Sequence, residues 1–273
     1  MKRIISTLLL ASLLITAFVI NASASGGVQV YIGDKAFTGQ VQVKDGTTYV
    51  GIRKFATDIS PDAKVSYNYS TRTLTVKSDK LTLTCTDGSN YIVANGRYLY
   101  FDKPIYMRSG TMFAPILLLY KAFDAKISWD SALHGFRVSR GSGGILSGDK
   151  FYREDEVLWL SRIISAESRG EPLLGKIAVG NVILNRVKSK SYPNTIYGVI
   201  FDRKYGIQFS PVANGTIYNT PTSESVIASK ICLEGYSISD EILYFVNPKK
   251  APNSWISKNG TLFKTIGNHA FYY

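Results

Sequence analysis

A chain of 273 residues, 45% hydrophobic and 19% charged, is long enough for two ordinary hydrophobic cores and has the composition of a globular protein. Its only cysteines, Cys85 and Cys232, lie far apart among apolar neighbours, which excludes a disulfide-framed fold and points to two buried, inert thiols. The formal charge of +12 is scattered without a basic stripe, so it argues against nucleic acid as partner and suits a protein drawn to anionic surfaces.

In chain order, Lys2 and Arg3 precede an apolar run from Ile4 to Ile20 that gives way to Asn21-Ala22-Ser23-Ala24. This is the layout of an export signal over residues 1–24, cut after Ala24, and loss of Lys2 and Arg3 with it leaves a charge of +10. The alternative is an uncleaved anchor, because the run approaches the roughly 17–25 residues that span a bilayer. No other segment is long and apolar enough to cross, so the remainder is expected to be soluble and on the outer side, without stable membrane insertion after cleavage.

Residues 25–140 are rich in β-branched and aromatic side chains, alternate in period two at Leu74-Thr75-Val76 and Leu81-Thr82-Leu83, and carry turn dipeptides at Asp45-Gly46, Asp87-Gly88 and Asn95-Gly96. The half also repeats itself. Gly46-Thr47-Thr48-Tyr49-Val50 is echoed by Gly110-Thr111-Met112-Phe113-Ala114, and Ala63-Lys64-Val65-Ser66-Tyr67 by Ala125-Lys126-Ile127-Ser128-Trp129. Two tandem units of strand, short helix and hairpin would explain both echoes. His134, beside Gly135 in a turn, reads as a surface residue. The glycines of Gly141-Ser142-Gly143-Gly144, followed by Gly148, read as a flexible linker over 141–149.

Residues 150–273 open with a helix. Acidic Glu154, Asp155 and Glu156 fill its first turn, Leu160, Ile163, Ile164 and Glu167 follow at three-to-four spacing, and Gly170 and Pro172 mark its end. Glu167 therefore extends an apolar stripe at the negative end of the helix dipole, and both desolvation and the dipole raise its pKa. A carboxylic acid still protonated near neutral pH is what a departing glycosidic oxygen needs. Periodicity alone equally allows Glu167 to pair with Arg169 or Lys176.

The wording around Glu167 is more specific. Ala166-Glu167-Ser168-Arg169-Gly170-Glu171-Pro172, then Gly175-Lys176-Ile177-Ala178-Val179-Gly180-Asn181-Val182-Ile183-Leu184-Asn185-Arg186-Val187, and later Tyr192-Pro193-Asn194-Thr195-Ile196, Gln208-Phe209-Ser210-Pro211-Val212, Leu243-Tyr244-Phe245-Val246-Asn247-Pro248 and Thr265-Ile266-Gly267-Asn268-His269-Ala270-Phe271 follow one another in order. Together these blocks closely resemble the cell wall hydrolases of the spore cortex-lytic type. The repeat over Val28 to Arg140 resembles the copper amine oxidase N-terminal-like domain, an accessory module of exported Gram-positive proteins. That name implies no copper chemistry here, because the half has one histidine and no ligand cluster. It reads as a binding or positioning module.

The resemblances imply an α+β chain: an N-terminal module of two strand-rich repeats joined to a mainly helical, lysozyme-like catalytic domain with a small β-hairpin. They further imply a lytic transglycosylase acting between N-acetylmuramic acid and N-acetylglucosamine, secreted to the cell wall or spore cortex, with peptidoglycan glycan strands as its partner and no cofactor. The family's essential glutamate is the first of its Glu-x-Arg-Gly-Glu motif, here Glu167. One carboxyl group suffices for a 1,6-anhydro product, unlike two-carboxylate hydrolysis. Glu171 is expected to have a structural or substrate-positioning role. Gln208, Tyr244 and Asn247 are candidates for sugar binding, since aromatic faces and amides suit pyranose rings and their N-acetyl groups. Strand alternation would put Leu243, Phe245 and Asn247 on one face and Tyr244 on the other. Phe209 and Phe245 read as core; Trp255 either stacks on a sugar or covers the core; His269 holds backbone or cleft geometry. No metal site is expected, which disfavours a zinc amidase cutting between glycan and peptide. A non-catalytic wall-binding protein is the remaining alternative.

Overall fold

The computed structural model describes residues 27–204 and 206–273, so the expected leader at 1–24 lies outside the described residues. The repeat is visible as structure. After β1 (Gln29–Ile32) and β2 (Lys35–Ala36), the first unit runs β3 (Val41–Lys44), β4 (Thr47–Gly51), α1 (Ile52–Ile59), β5 (Lys64–Asn68) and β6 (Thr73–Lys77). A meander of β7 (Thr82–Thr86), β8 (Tyr91–Ala94) and β9 (Arg97–Tyr100) follows. The second unit repeats the order as β10 (Tyr106–Arg108), β11 (Thr111–Pro115), α2 (Ile116–Ala122), β12 (Lys126–Asp130) and β13 (Gly135–Ser139).

The echoed segments meet each other: β4 and β11 pair antiparallel, Val50 opposite Ala114, at the centre of the sheet β10-β11-β4-β3. Both helices bury the apolar stripe their spacing encodes, Ile52, Phe55, Ala56 and Ile59 from α1 and Ile116, Leu118, Leu119 and Ala122 from α2, in one common core. Asp45-Gly46 and Asn95-Gly96 turn two-residue hairpins with both residues at positive φ, which favours aspartate, asparagine and glycine there. His134 is exposed in the β12–β13 turn.

The C-terminal half has α3 (Gly148–Phe151), α4 (Glu154–Ser168), α5 (Leu173–Lys188), α6 (Ile196–Ile200), α7 (Ser210–Ala213), a 3-10 turn at Thr216–Tyr218 and α8 (Ser223–Leu233). They are followed by β14 (Tyr244–Val246), α9 (Trp255–Asn259), β15 (Leu262–Ile266) and β16 (His269–Tyr272). Helices α4, α5 and α8 pack around a second core. Gly180 lets them close: a Cβ there would stand 2.6 Å from Cys232 Sγ and 3.0 Å from Ile164 Cδ1. Both cysteines are buried thiols, and burial pushes both pKa values up. The small hairpin is β15–β16, which β14 extends to a three-stranded sheet in the order β14-β16-β15.

The glycine-rich segment 141–149 differs from the flexible linker expected. A Cβ on Gly141 or Gly144 would collide with the carbonyl of Asp124 or Lys80, so these glycines allow close packing against the N-terminal domain. The Ile145 amide donates to Ala122 O at 3.1 Å, Asn95 Nδ2 donates to Ile145 O at 2.8 Å, and the Gly148 amide donates to Asn95 O at 2.7 Å. The two domains are also joined directly. Arg97 on β9 makes a two-pronged contact with Glu234, just past α8, at 2.8 and 2.6 Å, and the Tyr152 hydroxyl donates to the same carboxylate at 2.6 Å. Tyr91, Tyr98 and Tyr100 of β8 and β9 pack against the C-terminal core, with Tyr100 4.4 Å from Tyr236. Composition alone cannot distinguish a glycine needed for freedom from one needed for contact.

Candidate active site

Glu167 occupies the last turn of α4, beyond the buried Leu160, Ile163 and Ile164. It is half-buried and, among the described residues, its carboxylate has no hydrogen-bond or ion-pair partner. Burial pushes its pKa up to about 7, with Lys250 acting in the opposite sense. The alternative pairings are not formed. Arg169 is exposed, and Lys176 is committed elsewhere, to Glu224 Oε2 at 2.6 Å and to the Glu171 carbonyl.

Lys250 is set by Asn247, whose Oδ1 accepts from the amides of Lys249 at 3.0 Å and Lys250 at 3.3 Å in a tight turn after β14. Asn247 thus holds the backbone of this turn through its side-chain oxygen. Strand alternation sorts this segment as expected: Phe245 packs on the helical core, and Tyr244 and Val246 face the other way, onto Ile256, Ala270 and Tyr272, although all three are half-buried.

Glu171 is buried and accepts from the Asn268 amide at 2.8 Å and from Asn268 Nδ2 at 3.1 Å. Desolvation would raise its pKa, but those hydrogen bonds with the charges of His269 and Lys176 outweigh it and hold the carboxyl below its ordinary value. Gly267, at φ +59, leaves room for the carboxylate, because any Cβ there would collide with Glu171 Oε2. Two glutamates four residues apart are thereby driven in opposite directions, Glu167 towards the neutral acid and Glu171 towards the anion.

His269 is buried edge-on against Phe245 at 5.4 Å; its Nδ1 has no hydrogen-bond partner among the described residues, and burial lowers its pKa. Phe209 is buried and stacks towards Phe245 at 6.5 Å, as a core residue should. Gln208 is half-buried, its Nε2 donating to Gly206 O at 3.1 Å. Tyr244 packs on the small cluster of Ile256, Ala270 and Tyr272 and lies under the Arg186 guanidinium, beside Tyr192, whose pKa burial pushes up to about 12. Trp255 is 68% exposed at the first position of α9, so it does not cover the core.

The sequence alone assigns no role to Asn181, Asn185 or Arg186. Asn181 bonds Tyr236 O and the Ile238 amide, Asn185 bonds Ser239 O and Ile242 O, and Arg186 Nε bonds Leu243 O, all between 2.9 and 3.0 Å. The face of α5 they form holds the connection that feeds β14. Two asparagines four residues apart in an apolar helix were the available signal.

The fold and site define a two-domain protein in which a strand-rich unit is docked on a helical domain bearing a desolvated carboxyl group that has no hydrogen-bond or ion-pair partner among the described residues. Residues 170–272 match the family described as Cell Wall Hydrolase and residues 30–135 the Copper amine oxidase N-terminal domain, so the chain carries one domain of each kind. Glu167 stands just upstream of the first matched segment. The chain is 40% identical over 120 residues to a spore cortex-lytic enzyme of Bacillus cereus, covering 44% of this chain and 45% of that protein. It is 36% identical over 120 residues to the spore cortex-lytic enzyme of Bacillus subtilis, covering 44% and 38%. The match therefore spans less than half the length of either relative. The catalytic domain of the germination-specific lytic transglycosylase SleB from Bacillus anthracis is 37% identical, with a TM-score of 0.41, over 47% of this chain and 100% of that one.

Proposed function

We propose that residues 150–273 form a catalytic domain that cleaves peptidoglycan glycan strands as a lytic transglycosylase, with Glu167 as the single acid/base. The observation that carries this reading is the half-buried Glu167 carboxyl, partnerless among the described residues and shifted to about 7 by desolvation. A group so placed is protonated often enough near neutrality to give its proton to the leaving glycosidic oxygen. The carboxylate left behind, held by no described donor, accepts the proton of the muramic 6-hydroxyl as that oxygen attacks the anomeric carbon, closing a 1,6-anhydro ring. Glu171, held anionic by Asn268, supports the β15–β16 turn and does not exchange protons in this scheme. Similarity to spore cortex-lytic enzymes supports spore cortex or cell wall as the place of action, and no described helix is long and apolar enough to cross a membrane.

Glu167→Gln keeps the size and hydrogen-bonding capacity of the side chain but removes the transferable proton. Release of 1,6-anhydro-muramyl products, measured by mass spectrometry, is expected to fall by about 10²–10⁴-fold or more, because the same group acts as acid and then base. Retention of near wild-type release would sink the assignment. The same digests of cortex and of vegetative sacculi identify the preferred wall. Free N-terminal alanine on the stem peptides without glycan cleavage would indicate an amidase instead.

A further inference from the structure

At the other end of α4 from Glu167, Trp159, Tyr197, Phe201 and Tyr218 form a contiguous aromatic cluster. Trp159 meets Tyr197 and Phe201 edge-on at 5.2 Å each, Tyr197 and Phe201 lie 4.4 Å apart, and Tyr218 joins Trp159 at 6.2 Å. The Arg162 guanidinium lies 5.1 Å over the indole, and its Nε is buried without a hydrogen-bond partner among the described residues. A cluster serving only as core would hide its rings. Here Tyr197 is 53% and Tyr218 59% exposed with the N-terminal domain in place.

The cluster is connected to the candidate active site through two elements. Trp159 and Glu167 are eight residues apart on α4, about 12 Å along its axis. The segment 208–218 packs along α4 and joins the same two regions: Phe209 leads through Phe245 to His269, and Tyr218 ends at Trp159. Exposed aromatic faces rimmed by phenol hydroxyls and a guanidinium match a pyranose, which presents an apolar C–H face and a polar edge. A lipid tail would leave that polar rim unmatched.

We propose that Trp159, Tyr197 and Tyr218 form a distal subsite for the same glycan strand, two turns of α4 away from Glu167. This rests on the glycan-cleaving reading above. The subsite favours long strands over short ones, since only a strand reaching both places gains the second set of contacts.

The test uses the full chain carrying Glu167→Gln, with Trp129→Phe and Trp255→Phe so that Trp159 is the only fluorescent indole. It is titrated with β-1,4-linked N-acetylglucosamine oligomers of increasing length and with peptide-free glycan strands. Trp159 emission should change and saturate, and affinity should rise once the oligomer spans the two places. Adding Tyr197→Ala and Tyr218→Ala should lower affinity for long strands roughly tenfold and for the shortest oligomers much less. Trp159 emission indifferent to a long strand that co-sediments with the protein, or equal loss for short and long ligands, would overturn the subsite. Cleavage by the otherwise unaltered chain with length dependence intact in the tyrosine variants would overturn the subsite alone, whereas absence of any glycan binding would overturn the catalytic reading with it.

Discussion

Replacing Glu167 by Gln should make the protein more stable at alkaline pH while removing its activity. The unfolded chain ionises Glu167 near 4.5, whereas burial raises the folded value to about 7. Below pH 4.5 both states are protonated and no penalty exists. Between 4.5 and 7 the unfolded state gives up its proton first, so the wild type loses stability as pH rises, and above 7 the loss is complete. A rise from 4.5 to about 7 corresponds to about 3 kcal/mol held against the ionised form. Gln carries no such term. Urea unfolding of both proteins at pH 4 and pH 8.5 should therefore show the variant gaining up to about 3 kcal/mol on the wild type between the two. Parallel behaviour of the two proteins across that range would refute the desolvation argument, and with it the reason for assigning the proton to this residue. Activity carries the same signature, since transglycosylation by the wild type should decline as pH rises through about 7.

Other perturbations separate structural from chemical roles. Arg97→Ala leaves Glu234, whose side chain is 5% exposed, without its cation, and should cost about 3 kcal/mol in denaturant unfolding, with partial recovery on adding Glu234→Gln; no loss would mean that the domains are not held by this contact. Gly267→Ala should cost about 1–3 kcal/mol and lower the thermal midpoint, because φ of +59 is unfavourable to alanine and its Cβ displaces Glu171; a neutral effect would contradict the turn described. Glu171→Gln should reduce activity less than Glu167→Gln, and the stability that Glu171 supplies, with its folded pKa below the unfolded one, should be present at neutral pH and fade on acidification. EDTA should leave turnover unchanged, since the C-terminal half offers one histidine and no convincing set of zinc ligands; loss of activity restored by zinc would favour an amidase.

What could be read from the sequence was whatever depends on neighbours in the chain. The spacing of Leu160, Ile163, Ile164 and Glu167 sets a helical stripe, and a carboxylate in such a stripe meets desolvation whatever packs on it. The echo between residues 46–67 and 110–129 gave two copies of one unit for the same reason, as did the hairpin turns at Asp45-Gly46 and Asn95-Gly96. Tertiary structure decided everything that depends on distant partners. Asn247 and Glu171 are chemically suited to sugars, yet the turns at Lys249–Lys250 and Asn268 take their oxygens. Lys250, 83 positions from Glu167, acts on it electrostatically without pairing, because the turn after β14 is folded back towards the helical domain. The glycines at 141 and 144 resembled a tether because composition records the missing side chain and not the carbonyl pressed against it. Arg97 and Glu234 carried no local pattern, since a salt bridge across 137 positions is specified by the docking of two folded surfaces and by nothing in either flanking sequence.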